Sequence, residues 1–597
     1  MKNYINLFRD FKYRNAFLLV MPVALFLIDI LSFQGFFAFF LFQSLNFLMK
    51  AQILKVKIVA YFIVSFFLIN LVDEINYFET YTIASLFLIK LIYADPEKIK
   101  FVRIFTTKID SFSPKYSHSF LLLFTITLLT QNAYINFEII DWDISSYLVA
   151  SNNISLENFP YQSQWESKQP ILYILYKVLI SFAEESLVIF KLINDIPIFL
   201  LAILLFRLVN LEVKNILYSL LASSLYLIFM STPWGTAEYS EIYSLLFIAA
   251  GLNLLSTKNM SNISYFLGGL MFGIAIMINI GSVVVLTGSI FFLEIKKRFK
   301  YKLLYLFLGF VSPLIVLSIL YFHKGLMTIF IETTFLIPLN YPSSASFSIG
   351  ILIDFFRSYF EFSKLLYLTF IITFFVVFKQ IRLVRYKLVS LTASSLLFVV
   401  LALHGYYHHY IFFVFFFSYM TVVPFSLEGK NFYAAFLLIT LFSVLGYVVP
   451  KSINNLYNIN EIQQTYPIYN LQLELKDITK RRYTVLALDY HLINFYLKQD
   501  NYSYVVHPTN LEEEFITKKL IEMDKIQDKE ISYLIKYKSP DVVICSEDML
   551  DFNCEVSDYD KRYIQLYFDE INSMENINYY KDPYKKIRVY VLKEILK

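Results

Sequence analysis

The chain has 597 residues, of which 57% are hydrophobic and only 17% charged, with a formal net charge of +4. Soluble domains carry about 25% charged residues, and the mean hydropathy here is +0.55, so there is more apolar sequence than one water-soluble core buries. The small net charge gives no case for nucleic acid as a partner, and two cysteines exclude a disulfide scaffold.

The first residues carry Lys2, Arg9, Lys12 and Arg14 and then an apolar run. No small-residue cleavage site follows, so the run reads as a first span rather than a removed signal peptide. A membrane helix needs about 20 apolar residues, and the chain offers about fifteen candidates. They lie near 15–33, 35–49, 57–72, 78–94, 118–133, 187–207, 215–231, 240–256, 262–276, 281–294, 301–321, 363–378, 387–403, 408–425 and 432–449. Basic clusters at 2–14, 50–57, 98–108, 207–214, 296–302 and 379–387 then all fall on one side, which the positive-inside rule makes cytoplasmic. The opposite side receives the loops 73–81, 132–170, 231–239, 323–348 and 404–408, together with everything after Pro450.

From about residue 457 the composition changes to charged sequence without a long apolar run. Short β-rich runs at 483–489, 502–507, 541–545 and 587–592 alternate with a helix-like stretch over 511–538, which predicts a small α/β domain. The expected fold is therefore mainly α: a polytopic transmembrane helical bundle with a small C-terminal α/β soluble domain. Its expected parts are extra N-terminal helices at 1–116, a transmembrane core at 117–455 and an extracytoplasmic domain at 456–597. Multi-pass residence in a bacterial inner or plasma membrane follows from this layout.

The loop after the fifth span holds Glu138, Asp141 and Asp143, then Tyr147, Tyr161, Glu166 and Lys168. Carboxylates beside a bilayer are costly to desolvate and often mark function. One with a raised pKa can take a proton from a hydroxyl, and a lysine can meet a phosphate as a point charge. The plain alternative is a solvated loop. A second outer loop carries Glu238 and Glu241, three apart; a helix N-terminus favours acidic residues without any chemistry. A third outer turn gathers His408, His409 and Tyr410. Imidazoles bind metals, although adjacent histidines on a helix point to different faces. Lys191 and Asp195 are four apart, the spacing of a helical ion pair.

The run Asp143-x-x-x-Tyr147-Leu, then Pro160-Tyr161, then Lys168-Gln-Pro170-Ile-Leu-Tyr173 resembles the first outer loop of membrane glycosyltransferases of the GT-C fold. The branch it is most similar to is bacterial and related to dolichyl-phosphate-mannose protein mannosyltransferases and aminoarabinose transferases. There an acidic residue follows the first core span, and a Lys-Pro-Pro-Leu-Leu-Tyr stretch leads back to the membrane; here Gln169 replaces the first proline. The resemblance implies Asp143 as general base, with Asp141 as competitor, and Lys168 as the donor-phosphate ligand, with Glu166 facing the same cavity. It also implies Glu241, or else Glu238, as a second acidic residue. His409-Tyr410 would occupy the place of a His-Tyr pair that binds phosphate or orients the acceptor. The tail run Tyr504-Val-Val-His507-Pro508-Thr-Asn510 resembles soluble tails of some relatives loosely.

What the resemblance implies is sugar transfer from a polyprenyl-phosphate donor in the lipid bilayer. The acceptor would be a glycan, lipid or protein, and the reaction would occur on the non-cytoplasmic side. No cofactor is expected with certainty; a divalent metal ion is the minor alternative. A polysaccharide polymerase would be expected to use arginines in a large outer loop, which this loop lacks. A transporter or flippase would show mid-span charges and repeated broken helices.

Overall fold

The computed structural model describes residues 116–138, 141–184, 186–256, 261–289, 299–340, 386–401, 407–427, 448–546, 562–569 and 586–596. The expected spans 15–33, 35–49, 57–72, 78–94 and 363–378, and most of 432–449, lie outside these residues. So do the basic clusters at 2–14, 50–57 and 98–108. The chain divides into two compact units, and every contact below lies in the one made of Lys115–Ser348, Tyr386–Tyr419 and Leu445–Lys597.

That unit is mostly helical with one small sheet. Helix α1 (Tyr116–Gln131) leads to two helices inside the first loop, α2 (Trp142–Asn152) and α3 (Pro170–Phe182). There follow α4 (Leu187–Val213), α5 (Ile216–Phe229), α6 (Ser240–Leu255), α7 (Asn262–Ile276), α8 (Ser282–Ser289), α9 (Phe299–His323), α10 (Tyr386–Leu401) and α11 (Tyr410–Leu427). Within α4 and α9, Leu187–Val213 and Tyr301–His323 are long and apolar enough to cross a membrane. A run of 27 residues at 1.5 Å per residue spans about 40 Å, more than the ~30 Å hydrocarbon core. Phe307, Ile315, Val316, Ile319 and Phe322 of α9 are all more than half exposed, a surface that water does not favour.

Local chemistry sets the helix boundaries. Ser186 caps α4 by accepting from the Ile189 N–H, and α4 ends at Lys214 in the left-handed region. Asn215 then caps α5 by accepting from the Leu217 and Tyr218 N–H groups. Helices α7 and α9 touch backbone to backbone. A Cβ on Gly269 would lie 2.0 Å from the Leu306 carbonyl oxygen, and one on Gly273 would lie 2.2 Å from that of Phe310. This is the small-xxx-small packing that lets apolar helices approach closely.

In the tail, α12 (Pro467–Ile478) precedes a four-stranded sheet, with α13 (Glu514–Glu522) between its first two strands. The strands are β1 (Val485–Ala487), β2 (Val542–Ser546), β3 (Tyr563–Asp569) and β4 (Lys586–Leu592). Their order is β1-β2-β4-β3, with β1 parallel to β2 and the other pairs antiparallel. Val542, Val543 and Ile544 are fully buried, each contributing about 1.5–3 kcal/mol. The run at 502–507, expected as a strand, is not one of the sheet's strands: the Tyr502 N–H donates to the Val485 carbonyl of β1, and Val505 forms an isolated parallel bridge with Trp165 of the first loop. At that bridge the Trp165 N–H donates to the Tyr504 carbonyl, and the Val506 N–H donates to the Trp165 carbonyl.

Candidate active site

The site is built around the start of α2. Asp141 has extended backbone and accepts from the Asp143 N–H through Oδ1 (3.2 Å), an ordinary N-cap. Its Oδ2 accepts from the Tyr239 hydroxyl at 2.8 Å. Asp143 lies in the first turn, where the helix dipole favours an anion. One turn on, Tyr147 donates its hydroxyl to Asp143 Oδ2 at 3.0 Å, and the Tyr147 ring lies 6.0 Å from the Lys168 ammonium.

The turn before α3 aims Lys168. Tyr161 has φ of +68°, a strained conformation for a non-glycine residue, and its hydroxyl donates to the Lys168 carbonyl. The Lys168 N–H in turn donates to the Tyr173 hydroxyl at 3.0 Å. Among the described residues no carboxylate lies within ion-pair distance of the Lys168 ammonium, yet Glu241, Asp143, Glu166 and Asp141 together raise its pKa against the lowering effect of burial. A cation held ionised and paired to none of them is available to an anionic ligand.

Glu241 is buried in the first turn of α6 and accepts from Asn279 Nδ2 at 2.8 Å and from its neighbour Ser240 at 3.1 Å. His408 sits between two carboxylates, its Nδ1 3.9 Å from Asp141 and its Nε2 4.0 Å from Glu241, and stacks on the Tyr239 ring at 4.3 Å. His408 and His409 belong to a 3-10 turn, Tyr407–His409. Their ring centroids are 4.4 Å apart, so they do not diverge as adjacent helical residues would. One ligating atom from each of Glu241, His408 and His409 falls within 4.8 Å of the others. Ligands at ~2.0–2.2 Å from a zinc-like ion stand closer together than this, so binding would require a small contraction, and three protein ligands would leave a fourth position open. Tyr410 follows, buried at the start of α11.

Some expected residues lie elsewhere or are already engaged. Glu238 precedes α6 rather than sharing its face with Glu241; it lines a small cavity with Glu138, Asp141, Ser145 and Lys191. Burial raises its pKa, against the pull of Lys191. Lys191 and Asp195 do not pair: Lys191 donates to the carbonyls of Phe137 and Glu138, and Asp195 accepts from Asn132 at 2.8 Å. Glu166 is buried and accepts from the Ser167 N–H and hydroxyl and from Asn510 of the tail at 3.1 Å.

Sequence reasoning missed two kinds of residue. Tyr239 and Asn279 hold the carboxylates from neighbouring helix ends, and only their place at the outer ends of spans hinted at them. The tail supplies the rest. Glu138 accepts from the Ile468 N–H (2.7 Å), the Tyr469 N–H (2.9 Å) and the Tyr496 hydroxyl (2.7 Å), so a carboxylate of the first loop caps tail helix α12. His491, fully buried, places Nε2 2.8 Å from the Ser145 hydroxyl and 3.1 Å from the Trp142 carbonyl. Nε2 therefore carries the proton, and burial, with His507 nearby, lowers its pKa to about 3. His507 Nε2 lies 3.4 Å from Asp143 Oδ1.

The two aspartates are driven apart. Burial, with the Asp143 charge, raises Asp141 to about 7. Burial would also raise Asp143, but the close His507 imidazole and the Lys168 charge outweigh it and hold the carboxyl well below the usual range. Such a split between neighbouring carboxylates is how one site holds two proton-transfer roles.

No family model matches the chain, and no curated protein matches it.

Proposed function

We propose that the protein is a GT-C-like membrane glycosyltransferase that moves a sugar from a polyprenyl-phosphate donor to an acceptor hydroxyl outside the cytoplasm. The observation that carries this reading is the set of carboxylates, Asp141, Asp143, Glu166 and Glu241, acting on the Lys168 ammonium, which has no carboxylate at ion-pair distance among the described residues. It lies among helix ends of an apolar bundle.

In this reading Asp143 is the base, because its side chain is 27% exposed against 17% for Asp141 and 1% for Glu241, so a hydroxyl reaches it most easily. The acceptor oxygen attacks the anomeric carbon from the face opposite the phosphate. As the new C–O bond forms, the C–O bond to phosphate breaks, and the phosphate leaves with the electron pair. The attacking hydroxyl becomes strongly acidic only late in bond formation, so a carboxylate of low basicity suffices to take its proton. Lys168 stabilises the negative charge that builds on the departing phosphate. A cation held by Glu241, His408 and His409 would serve the same phosphate charge when bound.

Membranes holding the wild type should transfer label from a radiolabelled polyprenyl-phosphate sugar. Asp143→Asn and Lys168→Ala should each slow transfer by about 10²–10⁴-fold. Unchanged transfer in both variants would sink the assignment.

A further inference from the structure

The tail meets the first loop at several places around α2. Glu138 caps α12, and Asn152 and Asn153 bond to Asn494 and Asp500. Gln164 and Trp165 bond to the 501–506 segment, and Glu166 accepts from Asn510. These contacts enclose one titratable side chain from the tail whose ring reaches the proposed base. His507 is buried, and both its nitrogens are engaged: Nε2 faces Asp143 Oδ1 at 3.4 Å, and Nδ1 lies 2.7 Å from the Thr509 hydroxyl. A hydroxyl both donates and accepts, so Thr509 keeps its bond whether the imidazole is neutral or protonated. The Trp142 ring stands edge-on at 6.0 Å. Asp143 is thus gripped at both oxygens, by Tyr147 from its own helix and by His507 from the tail.

Resting on the glycosyltransferase reading, we infer that the tail completes the catalytic centre: His507 is a positioning residue that fixes the Asp143 carboxylate for the acceptor hydroxyl. The rest of its surroundings agree with a cation there. The carboxylates facing the ring are Asp143, Glu166 and Asp141, and the other nearby imidazole, His491 at 6.1 Å, is held neutral. Burial lowers the His507 pKa, but the close contact with Asp143 and these charges outweigh it and raise it. The pairing therefore contributes fully at pH values below the ordinary histidine pKa of about 6.5 and is lost as the pH rises through the raised value. At the acid end it is lost as the pH falls through the depressed pKa of Asp143.

Full-length His507→Phe and His507→Gln separate positioning from packing. Phe keeps the ring and removes the donor; Gln carries an amide donor at the reach of Nε2, toward Asp143, and cannot titrate. Loss of this close charge pair predicts that kcat falls by about 10–100-fold in His507→Phe, with little change in KM for the donor. His507→Gln should recover most of kcat and lose the alkaline limb of the pH profile that His507 sets. In thermal melts of the full-length protein, the losses in Tm of His507→Phe and Asp143→Asn should be less than additive at pH 6 and converge on additivity at alkaline pH. Undiminished kcat in His507→Phe, or additive losses at pH 6, would overturn the inference. The melts do not depend on sugar transfer. A wild type that transfers no sugar while the melts remain coupled therefore counts against the reaction reading and supports the pairing.

Discussion

Two segments meet at Asp143, and they contribute differently. The first loop, residues 138–170, brings net charge: Glu138, Asp141, Asp143, Glu166 and Lys168. The tail segment 489–510 brings few charges and many directed groups: His491, Asn494, Asn501, Tyr504, His507 and Asn510. In the loop, burial and mutual repulsion set the ionisation states, as at Asp141. The tail holds those charges in place with backbone N–H groups, amides and imidazoles. The comparison teaches that the chemistry and its alignment come from chain segments more than 300 residues apart.

The comparison breaks most severely if the anchor between the segments is removed. Glu138→Ala leaves the Ile468 and Tyr469 N–H groups and the Tyr496 hydroxyl without their acceptor. A loss of about 2–3 kcal/mol is expected, read as a lower Tm and as faster proteolysis of the tail. Unaltered melting and proteolysis would mean that α12 does not depend on this cap.

A smaller effect sharpens the loop side. Asp141→Asn preserves the cap, because asparagine serves as well there, but removes the group that burial raises to about 7. If catalysis needs Asp141 ionised, the wild-type rate rises with pH through about 7, and this acid limb disappears in the variant. The expected change is about tenfold at pH 6, small above pH 8. An acid limb retained in Asp141→Asn would assign it to another group.

Much of the fold could be read from the sequence, because long apolar runs leave few alternatives. The expected span 262–276 coincides with α7, and those at 187–207, 240–256 and 301–321 match α4, α6 and α9 within a few residues at most ends. The fold class follows at the coarse level: mostly helical, two helices able to cross a membrane, and a small sheet. Less legible were elements whose backbone is satisfied by a distant partner. The 502–507 run has strand composition, but its bridge partner is Trp165 of the first loop, with the Tyr502 N–H donated to β1. Strand β3 went unseen, although Tyr563, Gln565, Tyr567 and Asp569 alternate with Ile564, Leu566 and Phe568.

The site divides in the same way. Asp141, Asp143, Lys168, Glu241 and His408 stood out because charge and imidazole beside apolar runs are expensive, and the structure brings these five together. Glu166 joins them but is already held by Asn510. Glu238 was separated from Glu241 by a helix that starts only at Ser240. His491 and Asn279 carried no such signal, and His507 stood only in a loosely matching tail run, since polar residues in loops are ordinary and their partners are far away in sequence.

The contact between the two segments is the claim on which the rest depends. Asn153 and Asp500 are at its exposed rim, with the amide donating to the carboxylate at 2.8 Å. An Asn153→Cys/Asp500→Cys double variant in intact membranes should be joined by a short, membrane-impermeant bismaleimide added from the non-cytoplasmic side. A protease cut between the two positions would then leave the fragments linked. Fragments that separate, although both cysteines react with a monofunctional maleimide from that same side, would contradict the account.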